Sequence, residues 1–394
     1  MLIGILGKPN VGKSTFFKAC TMANVEIANR PFVTIRPNHG VGYVKVPCID
    51  KELNTQCQPR EGYCINHNRF VPVELMDVAG LVKGASEGKG LGNQFLDDLR
   101  QADAFIQILD LSGTTDEGGK ATTNYYPGKD IEMIEQELDL WYTGILKKVW
   151  KTFSRTVESS HKNFIESVEK QFSGLKVNEE QIKRVILKTG LNSEKPTSWT
   201  DEDIFNFARE LRRESKPMII AANKADINKA KENLEKIKKE FDYPIVPCSA
   251  EAELALREAA RDEIIEYVSG ENKFIIKKKD SLNEKQKKAL QFIQKNVLDV
   301  YKSTGVQEVL NKTVFELLRY MAVFPAGSKL KDSKGNILPD CYLMPPHSTA
   351  LDFAFKLHED LGKGFIKAID IRTKRAVGKE YKLKHLDGLE IISR

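Results

Sequence analysis

The 394-residue chain lacks any hydrophobic run that approaches about 18 consecutive residues, so no membrane-spanning helix is predicted. Its amino terminus, MLIGILGKPN, also lacks the basic flank and the small-residue cleavage site of a signal peptide. These absences argue against membrane and secreted proteins. We therefore expect a cytoplasmic protein with no membrane partner.

The cysteines lack the CxxC spacing that marks most zinc and redox motifs, although six are present. A reduced chain without disulfides is the default expectation. Cys48, Cys57, Cys64 and His67 crowd one short stretch, and zinc accepts thiolate and imidazole ligands. Their spacing fits no standard finger, so the sequence does not predict structural zinc and favours ordinary thiols.

Positive charge is only mildly in excess, with a net charge of +6 and a pI of about 8.7. Such an excess is compatible with binding to an RNA-rich surface, but a solvated mixed surface accounts for it better. The chain is long enough for two or three domains.

Five short apolar runs bounded by turn signals predict the central sheet. They lie at residues 2–6, 71–77, 104–112, 217–226 and 243–250. Runs that are buried on both faces and separated by helical segments indicate a parallel sheet in a doubly wound α/β domain.

The chain between Asp77 and Asn223 is more than twice as long as the roughly 60 residues that two strand-to-helix steps need, which predicts an insertion. Apolar residues recur there at helical spacing, and we expect Trp141, Tyr142 and Trp150 to be core residues. The predicted regions are a nucleotide-binding domain (1–119 and 213–270), a helical insertion (120–212), a helical connector (271–327) and an α+β domain (328–394).

The last region predicts a hairpin that turns at Gly335 and Asn336. A helix follows, for which Ser348 and Thr349 are candidate N-caps, and two alternating strands complete the unit.

Residues 7–14, GKPNVGKS, match GxxxxGK[ST] between a predicted strand and a predicted helix. In this motif the backbone N–H groups surround a phosphate, the lysine places its charge between the β- and γ-phosphates, and the serine hydroxyl binds Mg²⁺. The expected nucleotide contacts here are Gly7, Asn10, Val11, Gly12, Lys13, Ser14 and Thr15. Alone, the motif predicts only a P-loop nucleotide site.

Residues 223–226, NKAD, select the base because they follow a buried strand. The carboxylate of Asp226 can accept from N1–H and the exocyclic amine of guanine, whereas adenine offers neither donor at these positions. Such a site discriminates by roughly 10⁴-fold. The expected base contacts are Asn223, Lys224 and Asp226, together with a backbone N–H from Ser249, Ala250 or Glu251. The sequence therefore predicts GTP and GDP as ligands.

Asp77 and Gly80 form a DxxG element that can hold a Mg²⁺-bound water and reach the γ-phosphate. Thr34 is the candidate switch threonine, and an ordinary strand-edge threonine is the alternative. The predicted Mg²⁺ ligands are Ser14, Thr34 and Asp77, and the predicted catalytic residues are Lys13, Thr34 and Gly80.

Leu81 stands where many GTPases place a glutamine that orients the attacking water, and a leucine cannot hold water by a hydrogen bond. Intrinsic hydrolysis is therefore expected to be slow. Asn10 is a candidate ligand for a monovalent cation such as K⁺, which could supply charge to the site. A loop-stabilising asparagine is the alternative.

The segments GKPNVGKST, DVAGLVKGASEGKGLGNQFLDDLRQAD and NKAD resemble those of Obg-related GTPases, and the long second segment is similar to the YchF branch. The tail, with DSKGNILPD and GLEIIS, resembles a TGS domain, which implies a β-grasp fold and association with the ribosome or RNA. Many YchF-type proteins carry an altered base motif and accept ATP. Because NKAD is intact here, we expect specificity for guanine. Residues 48–67 suggest an archaeal or eukaryotic sister subgroup.

The leading hypothesis is a GTPase whose GTP and GDP states present different surfaces to a ribosomal or RNA partner. Two alternatives remain open: an ATP-hydrolysing protein associated with RNA or the ribosome, and a binding module with vestigial hydrolysis. An intact Asp226 argues against the first, whereas Leu81 keeps the second open.

Overall fold

The computed structural model describes residues 1–21, 39–78, 84, 99–227, 229–278, 282–327, 330–331 and 335–394. The chain divides into two compact units, one of residues 1–17 and 75–252 and the other of residues 18–74 and 253–394. No helix in the described ranges is both long and apolar enough to cross a membrane.

The described strands carry the labels used below. In chain order they are β1 Leu2–Leu6, β2 His39–Pro47, β3 Tyr63–Ile65, β4 Asn68–Asp77, β5 Ala104–Asp110, β6 Met218–Asn223, β7 Ile245–Pro247, β8 Ile265–Glu266, β9 Ile275–Ile276, β10 Met321–Pro325, β11 Tyr342–Met344, β12 Phe365–Asp370, β13 Ala376–Val377 and β14 Gly388–Ser393.

The first unit is built on a sheet in the order β4-β1-β5-β6-β7, to which β4 contributes residues 75–77. The pairs β1–β5, β5–β6 and β6–β7 are parallel. Every residue of β1, β5 and β6 is buried, as expected for strands covered on both faces. The predicted α/β sheet is confirmed, and its parallel strands end at one common edge.

The helical insertion is also confirmed. Its helices are Gly128–Ser159, Phe164–Gln171, Glu179–Thr189 and Asp201–Ser215. The last two begin with complete capping boxes, in which the N-cap side chain and the residue three positions later bond each other's backbone N–H groups.

An aromatic cluster forms the core of the insertion. Trp150 stacks on Trp199 with ring centroids 5.0 Å apart, and Phe207 contacts Trp199 edge-on at 5.1 Å. Trp141, Tyr142 and Trp150 are buried, which confirms the core role predicted for them. Packing between aromatic rings therefore holds the long helix Gly128–Ser159 in the insertion.

The second unit contains β2, β3 and most of β4, with β3 antiparallel to β4. Side chains from the helix Val306–Asn311 satisfy the backbone of β2: Asn311 bonds both the N–H and the C=O of Lys45, at 2.9 and 2.8 Å. Gln307 donates to the carbonyl of Tyr43 at 2.8 Å. These amides take the place of a neighbouring strand, so the ladder of β2 is not left unpaired.

A five-stranded sheet in the order β11-β10-β14-β12-β13 forms the carboxyl-terminal part of the second unit. The helix Ala350–Leu357 packs Phe353 into its core and is capped by Thr349, one of the two predicted N-caps. An antiparallel bridge between Lys331 and Ile337 flanks the predicted Gly335-Asn336 turn. The predicted small α+β domain is confirmed.

One sequence prediction is wrong in this region. Residues 271–327 were expected to form a helical connector, whereas Met321–Pro325 is the strand β10. It pairs in parallel with β14, Phe324 lying opposite Gly388, and antiparallel with β11. The run is too short to show a period, and pairing with distant strands decides its conformation.

Replacement of Phe207 by alanine should lower the free energy of unfolding of the insertion by about 3–5 kcal/mol, because a fully buried ring leaves a cavity. The chain's three tryptophans, Trp141, Trp150 and Trp199, all lie in this insertion, so urea unfolding followed by tryptophan fluorescence reports on it. The control Leu187→Ala removes a side chain that is 82% exposed and should change stability by less than about 0.5 kcal/mol. Equal midpoints for the two variants would contradict this packing.

Candidate nucleotide-binding site

The P-loop connects β1 to a helix that begins at Lys13. Three of its residues have positive φ, Gly7 at 154°, Asn10 at 67° and Gly12 at 91°. A Cβ on Gly12 would lie only 2.4 Å from Nδ2 of Asn223, so this position requires glycine for space as well as for conformation. The loop thus has the shape that the motif predicted, and Asn223 lies directly against it.

Asn223, at the end of β6, joins the P-loop to the loop that follows β7. Its Nδ2 donates to the carbonyl of Val11 at 2.9 Å, and its Oδ1 accepts from the N–H of Ala250 at 3.0 Å. The side chain is buried, so both bonds are shielded from water. Asn223 therefore holds the P-loop and the segment after β7 together.

Lys224 is fixed in the same region. Its Nζ contacts Oδ2 of Asp110 at 2.7 Å and the carbonyl of Asn10 at 3.1 Å. Burial alone would raise the pKa of Asp110, but hydrogen bonds from Lys224 and Ser112 hold it below its ordinary value. With its charge anchored in this way, the alkyl stem of Lys224 is available to lie along a base.

Asp226 has a different environment from its two neighbours. It is half-buried, and its carboxylate makes no hydrogen bond within the part of the chain that the structure describes. The backbone around it is held, since the N–H of Ala225 donates to the carbonyl of Cys248 at 2.9 Å and that of Ile227 to Lys224 at 3.2 Å. A fixed backbone therefore presents a carboxylate with acceptor capacity to spare.

The segment Ser249, Ala250 and Glu251 follows β7 at the same edge of the sheet. Because Ala250 gives its N–H to Asn223, a backbone donor to a base would come from Ser249 or Glu251 instead. The Ser249 hydroxyl accepts from the N–H of Ala252 at 3.4 Å and so caps the following helix.

Lys13 lies beside the end of β4. Its Nζ is 3.9 Å from Oδ1 of Asp77 and donates to the carbonyl of Val78. Burial lowers the pKa of Lys13 despite the opposing charge of Asp77, and burial raises the pKa of Asp77 despite Lys13. Both groups are thus incompletely compensated, which suits a site for a polyanion and a divalent cation.

The residues present fit Mg²⁺. Oδ1 of Asp77 is buried and has no hydrogen-bond partner among the described residues, which leaves a carboxylate oxygen free for the ion or one of its waters. Ser14, at the start of the helix, is exposed and offers its hydroxyl from the other side of the motif. The third predicted ligand, Thr34, lies outside the described ranges, as do Gly80 and Leu81.

The sequence reasoning missed a loop that lies against the P-loop. Lys8 is buried and contacts Asp130 at 2.8 Å and the carbonyl of Thr115 at 2.9 Å. Asn10 donates from Nδ2 to the carbonyl of Gly119 at 2.9 Å. The available signal was the Gly- and Thr-rich segment that follows β5 at the ligand edge of the sheet.

The bond from Asn10 to Gly119 bears on the two alternatives for that side chain. It engages the amide nitrogen in stabilising the loop, and the amide oxygen is the atom that a monovalent cation would need. The structural alternative thus has a contact to support it, and the cation role stays a proposal.

Comparison with protein families gives three matches. Residues 221–327 match the family described as Obg-like GTPase YGR210-like, G4 motif-containing domain. Residues 2–142 match the family described as 50S ribosome-binding GTPase, and residues 322–393 match the TGS domain.

Similar proteins cover the chain from end to end. An uncharacterized GTP-binding protein of Methanocaldococcus jannaschii is 48% identical over 100% of this chain and 99% of its own length. A ribosome-binding ATPase YchF of Buchnera aphidicola is 32% identical over 93% of this chain and 86% of its own. The crystal structure of a GTP-binding protein from Pyrococcus horikoshii, 39% identical, covers both chains completely with a TM-score of 0.80.

Replacement of Gly12 by alanine should weaken nucleotide binding by roughly 10–100-fold, because a Cβ at positive φ must displace Asn223 at a cost of about 1–3 kcal/mol. Titration of fluorescent GTP measures the affinity. Gly174→Ala is the matched control, since nothing lies within 4 Å of its added Cβ. Unchanged affinity in Gly12→Ala would show that the Asn223 contact is not part of the binding site.

Proposed function

This chain belongs to the Obg-like GTPases, in the subgroup related to YchF, and from that premise we propose that it binds GTP with Mg²⁺, hydrolyses it slowly and acts as a nucleotide-dependent switch on a partner associated with the ribosome or RNA. The observation that carries the proposal is the carboxylate of Asp226. It makes no hydrogen bond within the described residues, while its neighbours Asn223 and Lys224 hold the surrounding loops.

Guanine specificity follows from the pairing that Asp226 can make. Its two oxygens accept from N1–H and the exocyclic amine of guanine, and a backbone N–H of Ser249 or Glu251 donates to O6. Adenine would leave the carboxylate without donors in a half-buried site, which costs free energy. This argument favours GTP over ATP, although relatives named as ATPases exist in the same family.

The proposed phosphate site consists of the P-loop, Lys13, Ser14 and Asp77. The P-loop N–H groups and the start of the helix at Lys13 favour negative charge, and Lys13 adds a cation beside them. Ser14 and Asp77 would hold Mg²⁺, which when bound neutralises charge on the β- and γ-phosphates. Asp77 keeps one buried oxygen unbonded for this role.

Slow hydrolysis follows from Leu81, which offers no hydrogen bond to an attacking water. The catalytic roles of Lys13, Thr34 and Gly80 belong to this proposal as well: Lys13 stabilises charge on the phosphates, and the other two would contact the γ-phosphate region. A low intrinsic rate suits a switch, because the GTP state then persists until a partner acts on it.

Two features support a ribosomal or RNA partner. YchF relatives are named ribosome-binding, and one matched family is described as 50S ribosome-binding. The matched TGS domain is the second feature. The competing functions are ATP hydrolysis by a ribosome-associated protein and a binding module with vestigial hydrolysis. Base selectivity and the turnover rate distinguish them.

Replacement of Asp226 by asparagine should abolish the preference for GTP and create one for XTP, because the new amide donates to the C2 carbonyl of xanthine. Competition of GTP, GDP, ATP and XTP against labelled GTP, and against labelled XTP for the variant, measures the change. We expect the wild type to favour GTP over ATP by roughly 10⁴-fold. Asp242→Asn, the same change at an exposed site, is the control. Equally tight ATP binding by the wild type would move the protein to the ATP-using alternative.

The cation role proposed for Asn10 is tested by GTP turnover in potassium and in sodium buffers. We expect faster turnover in potassium for the wild type and no difference for Asn10→Gly, because glycine keeps the positive φ while removing the amide oxygen. Lys18→Ala, an exposed change in the helix that follows the P-loop, should keep the potassium effect. Equal wild-type rates in both salts would assign Asn10 to loop stabilisation and direct the search to a protein activator.

A further inference from the structure

Four side chains in the second unit, all from the segment that connects β2 to β4, lie close together. The ligand atoms of Cys48, Asp50, Cys57 and Cys64 all lie within 4.8 Å of one another. The Cys48 and Cys57 sulfurs are 3.6 Å apart, and the Cys64 sulfur is 3.9 Å from Oδ2 of Asp50. Three of the four residues are buried, and Cys64 is partly buried.

The Cys48–Cys57 and Cys64–Asp50 separations are close to the edges of a tetrahedral metal site. Zinc–sulfur bonds of about 2.3 Å and zinc–oxygen bonds of about 2.1 Å give sulfur–sulfur edges of about 3.8 Å and sulfur–oxygen edges of about 3.6 Å. We propose that Cys48, Asp50, Cys57 and Cys64 bind one structural zinc ion. The sequence spacing had favoured ordinary thiols, and it had placed His67 in the candidate set where the structure places Asp50.

His67 has a different part in this site. Its Nδ1 is 2.9 Å from Oδ1 of Asp50, the oxygen opposite the one that lies near Cys64. An imidazole behind a carboxylate fixes the orientation of that carboxylate, as outer-shell groups do at metal sites. His67 is therefore a positioning residue, and the backbone N–H of Cys57, which donates to Asp50 at 3.1 Å, has the same effect.

Charge around the cluster also fits a metal–thiolate centre. Three thiolates and a carboxylate around a divalent cation leave a net negative charge in a buried place, which needs a positive neighbour. The buried Arg69 lies directly opposite Cys64 in the β3–β4 pairing, so its guanidinium belongs to the same face of these strands. Its Nε has no hydrogen-bond partner among the described residues, so this buried cation is incompletely bonded.

The donor set favours zinc over Mg²⁺ and Ca²⁺. Thiolates suit zinc, whereas Mg²⁺ and Ca²⁺ prefer oxygen ligands. A disulfide between Cys48 and Cys57 is the main competitor for their proximity. It would leave the convergence of Cys64 and Asp50 on the same point unexplained.

The site would fix a loop that holds the carboxyl-terminal sheet domain. Next to Cys57, the N–H of Gln58 donates to the carbonyl of Ile337 at 2.8 Å and that of Arg60 to Pro339 at 2.9 Å. Arg69 donates to the carbonyl of Leu338. Metal ligation of this loop would thus stabilise its pairing with residues 337–340.

The first test measures the metal content of the full-length protein by elemental mass spectrometry. The protein is purified under reducing conditions with zinc present. We expect about one zinc per chain. Cys57→Ser and Cys64→Ser should lose it. Cys341→Ser, a change close to Arg69 but outside the four ligands, should retain it.

Spectroscopy on the wild type keeps the test independent of variant folding. The protein stripped of metal and reloaded with Co²⁺ should show the visible bands of tetrahedral cobalt and a thiolate charge-transfer band.

His67→Ala should weaken zinc binding by roughly 10–100-fold without changing the stoichiometry.

Three results would overturn the proposal. The first is a reduced wild-type protein that binds no zinc. The second is a Cys48–Cys57 disulfide in the native protein at full occupancy, seen by intact mass under non-reducing conditions. The third is loss of zinc from Cys341→Ser to the same extent as from Cys64→Ser, because that would require a different ligand set.

Discussion

The side-chain amide of Asn223 connects the two loops of the proposed nucleotide site, the P-loop and the loop after β7. Its nitrogen bonds the P-loop at Val11 and its oxygen bonds the loop after β7 at Ala250. Both bonds are buried, so breaking either leaves an unsatisfied polar group, which costs about 1–3 kcal/mol. These two bonds set the distance between the P-loop and the loop after β7. The requirement for glycine at position 12 follows from it, because only glycine lets Asn223 approach.

Ion pairs with carboxylates explain why Lys13 is better suited to the phosphates than Lys8 or Lys224. Lys8 and Lys224 contact Asp130 and Asp110 at 2.8 and 2.7 Å, so their charges are engaged in holding the loops. Lys13 keeps 3.9 Å from its carboxylate partner, and burial lowers its pKa. A phosphate can therefore gain more from Lys13 than from the other two. The tight pairs fix the loops, and the loose pair is the one that we propose to bind the phosphates and Mg²⁺.

Local pattern predicted most of the fold and much of the candidate site, because the glycine-rich turn, the buried strands and the NKAD segment each act over a few residues. The apolar runs correspond to β1, β4, β5, β6 and β7. Contacts between distant segments could not be predicted in this way. The bond from Asn10 to Gly119 and the pairing of β10 with β14 join residues far apart in the sequence. Neither leaves a periodic signal in the sequence, so only the folded chain reveals them.

The thiol cluster shows the same limit and why it matters for stability. Sequence motifs for zinc sites describe ligands that lie together on one short turn. Here Cys48 follows β2 and Cys64 lies in β3, so strand pairing sets their separation. The TGS domain, residues 322–393, is small, and small domains bury a lower fraction of their surface and have less stability to spare. Its residues 337–340 pair with the loop that carries Cys57. Because strand pairing assembles the ligands, a metal would bind the folded chain and thereby stabilise this pairing.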